Sequence, residues 1–389
     1  MSHDKRTTKT VDNKHFLQWR IASYLPININ VKGEKERVMR KVKIGFYGCG
    51  FMGQVAHLQN YARLVNDCEV IGVADAKQRQ AELVAAKYQI PNVYKTPAEM
   101  LANPEIEAVA AIHKCSNNVN IIPEVLAAGK HIITEKPLCT YVENARKLAE
   151  LAAKANRIHM VGYHKRSDPA VEYARKTILQ WKETGKMGRM KYVRITMPPG
   201  DWLGGMDRSV MINTGEPYPE FAREQSTADF GEKAGKKYGS FINYYIHQVN
   251  LMRYLLTEDY KLTFTDRSGV MLAVESVGGV CGIIEMEPYK TTDDWQESAT
   301  VCFEKGWIKI ELPAPLAMHL PGNVTVFEND GAEGRYITPA LPKVCAMKNQ
   351  ALNFIKAVRG DIEAPCNSAE GVRDLEIAVD YINYRLAND

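Results

Sequence analysis

The chain has 389 residues, 45% of them hydrophobic and 25% charged, which is more than one ordinary core accommodates and points to two globular domains. A net charge of +4 is too small to build a field for nucleic acid, and no apolar run nears the roughly 18–20 residues of a membrane helix, so neither partner is expected. The eight cysteines contain no C-x-x-C pair and the nine histidines no H-x-x-x-H spacing, which reads as a cytoplasmic protein with reduced thiols and no metal site.

Residues 1–41 are rich in Lys and Arg but include Asp4, Asp12, Glu34 and Glu36, with no apolar centre before a small-residue cleavage site. They read as an extension packed on the body or on a neighbouring subunit, not as a signal peptide. Val42–Tyr47 is a strand pattern that runs into Gly48-Cys-Gly50-Phe51-Met52-Gly53 and then a helical stretch, Gln54 to Val65. This is the G-x-G-x-x-G fingerprint with strand before and helix after. Gly48 permits the tight turn, Gly50 lets backbone approach a pyrophosphate, and Gly53 lets helix and strand pack closely. A second strand, Glu69 to Ala74, ends at Asp75, 22 residues after Gly53. A carboxylate there holds both ribose hydroxyls of NAD and repels a 2′-phosphate, although Lys77 and Arg79 leave NADP disfavoured and not excluded.

Alternation of strand and helix continues and predicts a parallel doubly wound sheet. Helices are expected at 81–88, 98–101, 121–128 and 142–155, with strands at 108–112, 131–134 and 158–162. The strand His131–Thr134 stops at Glu135-Lys136-Pro137, because proline donates nothing to a ladder and biases Lys136 away from helix. An ammonium is thereby placed at the carboxyl end of a strand, where open α/β sheets bind ligands.

Gly48-x-Gly50-x-x-Gly53, Asp75, the run Ala127 to Pro137, and Gly162-Tyr-His164-Lys-Arg166 before Pro169 together resemble the glucose-fructose oxidoreductase / inositol dehydrogenase (Gfo/Idh/MocA) family. The likeness extends from about residue 42 to the end of the chain. It implies a Rossmann domain over 42–165 and an α+β domain over 166–389, the latter with a large open, mostly antiparallel sheet. That sheet's exposed face implies a homo-oligomer. It also implies NAD(P)-dependent chemistry on a hydroxyl of a sugar, polyol or inositol. Lys136 matches the lysine that touches both the substrate oxygen and the nicotinamide ribose. Phe51, Met52, His113 and Glu135 join the glycines and Asp75 as expected cofactor contacts, and His164 and Arg166 as substrate contacts. One departure is visible: where a Thr-Pro-Asn-x-x-His loop is common, this chain reads His113-Lys-Cys-Ser-Asn-Asn118. His113 and Lys114 either touch the cofactor or cap the loop.

In the second half, a helix is expected over 168–185 and a strand over 190–196, followed by a long irregular stretch, 198–239. A connection this long is functional or unstructured. Asp201, Trp202, Asp207, Arg208, Glu216, Tyr218 and Asp229 within it suit a polyhydroxylated ligand, with Trp202 as the expected aromatic face; the alternative is a subunit contact. Ser240–Leu256 reads as one helix with Ile246, Val249, Met252 and Leu256 as its core face and Asn243, His247, Asn250 and Tyr254 as a polar stripe. The resemblance aligns Asn243-x-x-x-His247 with a common Asp-x-x-x-His motif and makes His247 the expected general acid/base. Asn243 can orient but not charge-stabilise the imidazolium, so a lowered histidine pKa is expected, unless Asp201, Glu216 or Asp229 supplies the charge. Beyond residue 260, six alternating runs predict an antiparallel sheet, closed by helices over 349–359 and 369–387.

The expected activity is NAD-dependent oxidation of a secondary hydroxyl of a sugar or glycoside, with C3 of a glucoside as the expected carbon. Two rivals stand beside it: an internal-redox enzyme with tightly held NAD, and a non-enzymatic NAD-binding sensor.

Overall fold

The computed structural model describes residues 40–220, 224–225, 230–287 and 289–388; most of the extension, and Asp229, lie outside these. Six parallel strands form the first sheet: β1 (Val42–Tyr47), β2 (Cys68–Ala74), β3 (Asn92–Tyr94), β4 (Ala108–Ala111), β5 (His131–Glu135) and β6 (His159–Gly162). Their order is β3-β2-β1-β4-β5-β6, so the chain reverses direction between β1 and β4. That switch point opens a crevice at the carboxyl ends of the central strands. The central strands read as continuous apolar runs because helices cover both faces. These helices are α1 (π-wound over Gly53–Leu58, continued by Gln59–Tyr61), α2 (Gln78–Tyr88), α3 (Pro97–Leu101), α4 (Asn118–Ala127) and α5 (Val142–Ala155).

Two expectations change here. The helix after the glycine motif ends at Tyr61, not Val65, because the amides of Arg63 and Leu64 turn back onto the carbonyls of Asn60 and Tyr61. Strand β3 went unforeseen, since three residues are too few to display a period.

The second sheet has eight strands: β7 (Met190–Thr196), β8 (Tyr260–Thr265), β9 (Met271–Ser276), β10 (Cys281–Glu285), β11 (Glu297–Phe303), β12 (Gly306–Leu312), β13 (Asn323–Asn329) and β14 (Gly334–Ile337). Their order is β14-β13-β12-β11-β7-β10-β9-β8; β10 runs parallel to β7 and every other pairing is antiparallel. Strict alternation along β11 and β12 buries Ala299, Val301, Ile308 and Ile310 and exposes their neighbours, as a sheet with one covered face requires. The covering helices include α6 (Pro169–Thr184) and α8 (Ile246–Leu256), preceded by α7 (Gly231–Tyr244).

The single helix expected over 240–256 is therefore two, broken at Tyr245. The Tyr245 ring is buried and its hydroxyl donates to the Met286 carbonyl (2.8 Å), pinning the chain where the helix turns. The polar stripe does not survive. Asn243 lies on α7, while Asn250 on α8 is buried and donates to Asp374 (2.7 Å). Tyr254 accepts the Arg166 and Arg175 guanidiniums over its ring.

Two C-terminal helices return to the first half. Phe354 and Ile355 of α9 (Ala346–Arg359) pack into one core with Ile44, Phe46 and Tyr61, and α10 (Ser368–Asn388) packs on α5. Among the described residues no helix is long and apolar enough to cross a membrane.

Candidate active site

The glycine turn is shaped by backbone, not by side chains. Gly48 adopts φ +102°, and a Cβ there would fall 2.0 Å from the Ile112 carbonyl oxygen. A Cβ on Gly53 would fall 2.0 Å from the Gly48 carbonyl oxygen, so both positions require glycine. At Gly50 a Cβ would fall 2.9 Å from the Tyr218 hydroxyl, so among the described residues the neighbour there is the end of a side chain and not backbone. Phe51 and Met52 open α1, with Phe51 on the surface and Met52 half-buried. Asp75 is buried at the end of β2, and its carboxylate accepts from the amides of Cys49 (2.5 Å) and Lys77 (2.7 Å). Burial raises the Asp75 pKa against the lowering effect of those amides. A tight glycine turn and a terminal carboxylate are the parts a dinucleotide needs, and the residues fit one.

The irregular stretch from the second half lies across this turn. Gln54 accepts from the Ile212 amide (2.8 Å) and donates to the Ile212 carbonyl (2.9 Å). Glu216 accepts from the amides of Arg79 (3.2 Å) and Gln80 (3.1 Å). Glu224, unforeseen in the sequence, is buried and accepts from Thr140 N (2.8 Å), Tyr141 N (3.3 Å) and Asn144 Nδ2 (3.1 Å) ahead of α5. These are capping contacts made from 80 or more residues away, which no local period announces.

Beside the turn, β5 delivers Glu135 and Lys136. The Glu135 carboxylate pairs with His57 Nε2 (2.6 Å) and accepts the Lys136 amide (3.1 Å). Burial would raise the Glu135 carboxyl, but the hydrogen bond and charge of His57, with the Lys136 ammonium, outweigh it and hold the carboxyl below its usual range. Lys136 Nζ donates to the Asn243 carbonyl (2.7 Å), which aims the ammonium at the start of α8. Burial lowers the Lys136 pKa; Lys165 adds to this, while Glu135 and Cys115 oppose it.

The imidazoles of His164 and His247 meet edge to face, ring centroids 4.8 Å apart, with Tyr163 edge-on to His247 at 5.9 Å. Burial, then the Lys136 charge, then His164 and Lys165, hold His247 well below the ordinary histidine range. His164 is lowered in the same way by burial, Lys165 and Lys136. Both rings are therefore neutral at pH 7 and each can accept a proton. Neither Nδ1 has a protein partner among the described residues. Behind them Lys165 is buried in an ion pair with Glu297, whose other oxygen accepts from Gln248 Nε2 (2.7 Å). Sequence reasoning missed this pair, because Glu297 looks like an ordinary strand residue until the sheet buries it.

Several expected site residues stand elsewhere. Asn243 contributes its carbonyl, not its amide, and its side chain is exposed with no hydrogen bond to His247 among the described residues. Arg166 does not face the cleft. It is buried and held by Asn250 Oδ1 (2.6 Å), the Pro365 carbonyl (2.7 Å) and Glu370 (2.5 Å), so it ties α8 to the C-terminal segment. Trp202 is 38% exposed and lies edge-on to Phe51 at 6.0 Å, near the glycine turn and not beside His247. Asp201 and Asp207 cap their own turns through Leu203 N (3.1 Å) and Ser209 N (2.9 Å). With Glu216 at α2, no described carboxylate of the long stretch supplies charge to His247. His113 lies against Tyr47 (5.4 Å) and bonds its neighbour Lys114's carbonyl, with Nε2 buried and unpartnered.

A turn shaped to receive a dinucleotide thus stands beside a lysine and two histidines at the carboxyl ends of the first sheet's strands. Residues 42–163 match the Gfo/Idh/MocA model, described as oxidoreductase family, NAD-binding Rossmann fold. Myo-inositol 2-dehydrogenase of Thermotoga maritima is 23% identical over 237 residues, 61% of each chain. The scyllo-inositol 2-dehydrogenase (NAD(+)) of Bacillus subtilis is 28% identical over 218 residues, 56% of this chain and 54% of its own. The match thus spans a little over half the length of these curated relatives. UDP-N-acetylglucosamine 3-dehydrogenase of Acidithiobacillus ferrooxidans shares the fold, with a TM-score of 0.64 over 90% of this chain and 99% of its own at 17% identity.

Proposed function

We propose that the protein is an NAD-dependent dehydrogenase acting on a secondary hydroxyl of a sugar or polyol, with Lys136 and His247 as its catalytic residues. The observation that carries the reading is the meeting of a directed ammonium and a half-buried imidazole of lowered pKa beside a turn that fits a dinucleotide. Gly48, Gly50, Gly53 and Asp75 would hold the cofactor, which supplies hydride acceptance at its nicotinamide. Lys136 keeps donors beyond the one given to Asn243, and these stabilise negative charge growing on the substrate oxygen. His247 receives the hydroxyl proton as general base; burial first, then the Lys136 charge, holds it below the ordinary histidine range. His164, packed edge to face on it, holds the ring in place. The names of the inositol dehydrogenases support the substrate class, and the NAD(+) of the Bacillus enzyme supports the cofactor.

The eight unpaired cysteines agree with a reducing, cytoplasmic setting. The exposed face of the second sheet presents Trp307, Phe327 and Tyr336 in mutual contact, which supports a homo-oligomer formed there.

The test is to denature purified protein, assay released NAD(H), and measure NAD reduction with inositols, free sugars and glucosides, including glucosides blocked at C3. Nucleotide-free protein that reduces added NAD with one of these classes supports the reading. Near-stoichiometric bound NAD(H) with no response to added NAD replaces it with internal redox, and bound cofactor without turnover replaces it with a sensor.

A further inference from the structure

We infer that Glu216, carried across the glycine turn by the second half of the chain, is a second determinant of cofactor choice and excludes a 2′-phosphate from the adenosine ribose. The inference rests on the dinucleotide reading above and deepens it. Asp75 marks where the ribose hydroxyls would be held, and the turn that follows it leads into α2. A 2′-phosphate on that ribose is best received by free amides and cations at this turn. In this chain several of these groups are already engaged. The Arg79 and Gln80 amides donate to Glu216, and the Thr214 hydroxyl holds the same carboxylate at 2.5 Å. The Lys77 ammonium lies 3.9 Å over the Tyr218 ring. The Arg79 charge is answered by Glu216, which it helps to keep ionised after the Thr214 hydroxyl and the two amides.

Asp75 registers Glu216 as a like charge, so the two carboxylates act on the same small volume. One comes from the strand end, the other from 141 residues further along the chain (216 − 75). The segment is anchored independently at Gln54–Ile212. Among the described residues the Tyr218 hydroxyl is what a Gly50 Cβ would approach, so the same ring that covers Lys77 borders the glycine turn. Glu216, held by three bonds, stays. A cation that would favour NADP is thus matched by a carboxylate that rejects it, which is discrimination by repulsion.

The test is nicotinamide fluorescence titration of full-length protein with NADH and NADPH, for wild type, Glu216→Gln and Glu216→Asp, with thermal melts to verify folding. Glutamine keeps an oxygen for the Arg79 and Gln80 amides and removes only the charge. Wild type should prefer NADH. In Glu216→Gln, NADPH should tighten about tenfold while NADH changes less than about threefold, as removal of one like charge implies. Glu216→Asp should retain the wild-type ratio. An unchanged ratio in Glu216→Gln, equal weakening of both nucleotides, or a wild type that prefers NADPH would overturn the inference and leave the dinucleotide reading standing. Wild type that binds neither nucleotide overturns both.

Discussion

The glycine turn and the lysine-histidine cleft lie side by side and are built on opposite terms. The turn is made of backbone: a Cβ on Gly48 or Gly53 would fall 2.0 Å from a carbonyl oxygen, and Asp75 is held by two amides. Its parts fall within 28 consecutive residues (48–75). The cleft is made of side chains from four distant segments, namely Lys136, His164–Lys165, His247 and Glu297, and its chemistry is set by burial and by cations. A local motif specifies a shape, whereas a remote assembly specifies a protonation state. Substitutions should therefore separate binding from turnover.

The sharpest break lies in the turn. Gly53→Ala should abolish NADH binding outright in a fluorescence titration, because the new methyl collides with the Gly48 carbonyl and α1 must move off β1. In the cleft, Lys136→Ala should cost on the order of 10³-fold in turnover, the scale of a lost oxyanion-type donor, with nucleotide affinity nearly unchanged. His247→Gln should cost about 10²–10³-fold in steady-state rate, as removal of a general base does.

A smaller effect distinguishes the cleft's support from its chemistry. Glu297→Gln strands the Lys165 charge among neutral rings and should lower unfolding free energy by about 3–5 kcal/mol in a urea titration.

The smallest effect is pH-dependent. Burial pushes His159 down to about 3, and His164 and His247 are also held well below the ordinary range. These folded values lie below the unfolded value near 6.5, so the unfolded chain binds more protons as pH falls. Stability is full above about pH 6.5 and is lost on acidification, by at most about 1.4 kcal/mol per pH unit for each such histidine. Thermal melts at pH 7 and pH 5 should show the drop.

The contrast also explains what the sequence revealed. The glycine spacing, Asp75 and the strand ending at Lys136 were legible because each is local, and the doubly wound order follows from alternation alone. The helix break at Tyr245 was not, since apolar spacing runs unbroken through it and only the Met286 contact marks it. Arg166 looked like a substrate cation beside His164, but partners 84 and 204 residues away lock it into the core. Glu216 was expected against a polyhydroxylated ligand and Glu224 was not singled out; their roles as caps on α2 and ahead of α5 emerge only once the distant segments fold together. Side chains acting on their own element can be read in advance; those completing another element cannot.

The account depends most on Lys136 serving chemistry and not the cofactor's attachment. The direct measurement pairs two readings on Lys136→Ala: NADH affinity by fluorescence, and single-turnover hydride transfer with whichever sugar or polyol the wild type oxidises. Affinity within about threefold of wild type together with transfer slowed on the order of 10³-fold is the result the structure predicts. Transfer at the wild-type rate, or loss of NADH binding as large as the loss of transfer, would contradict it.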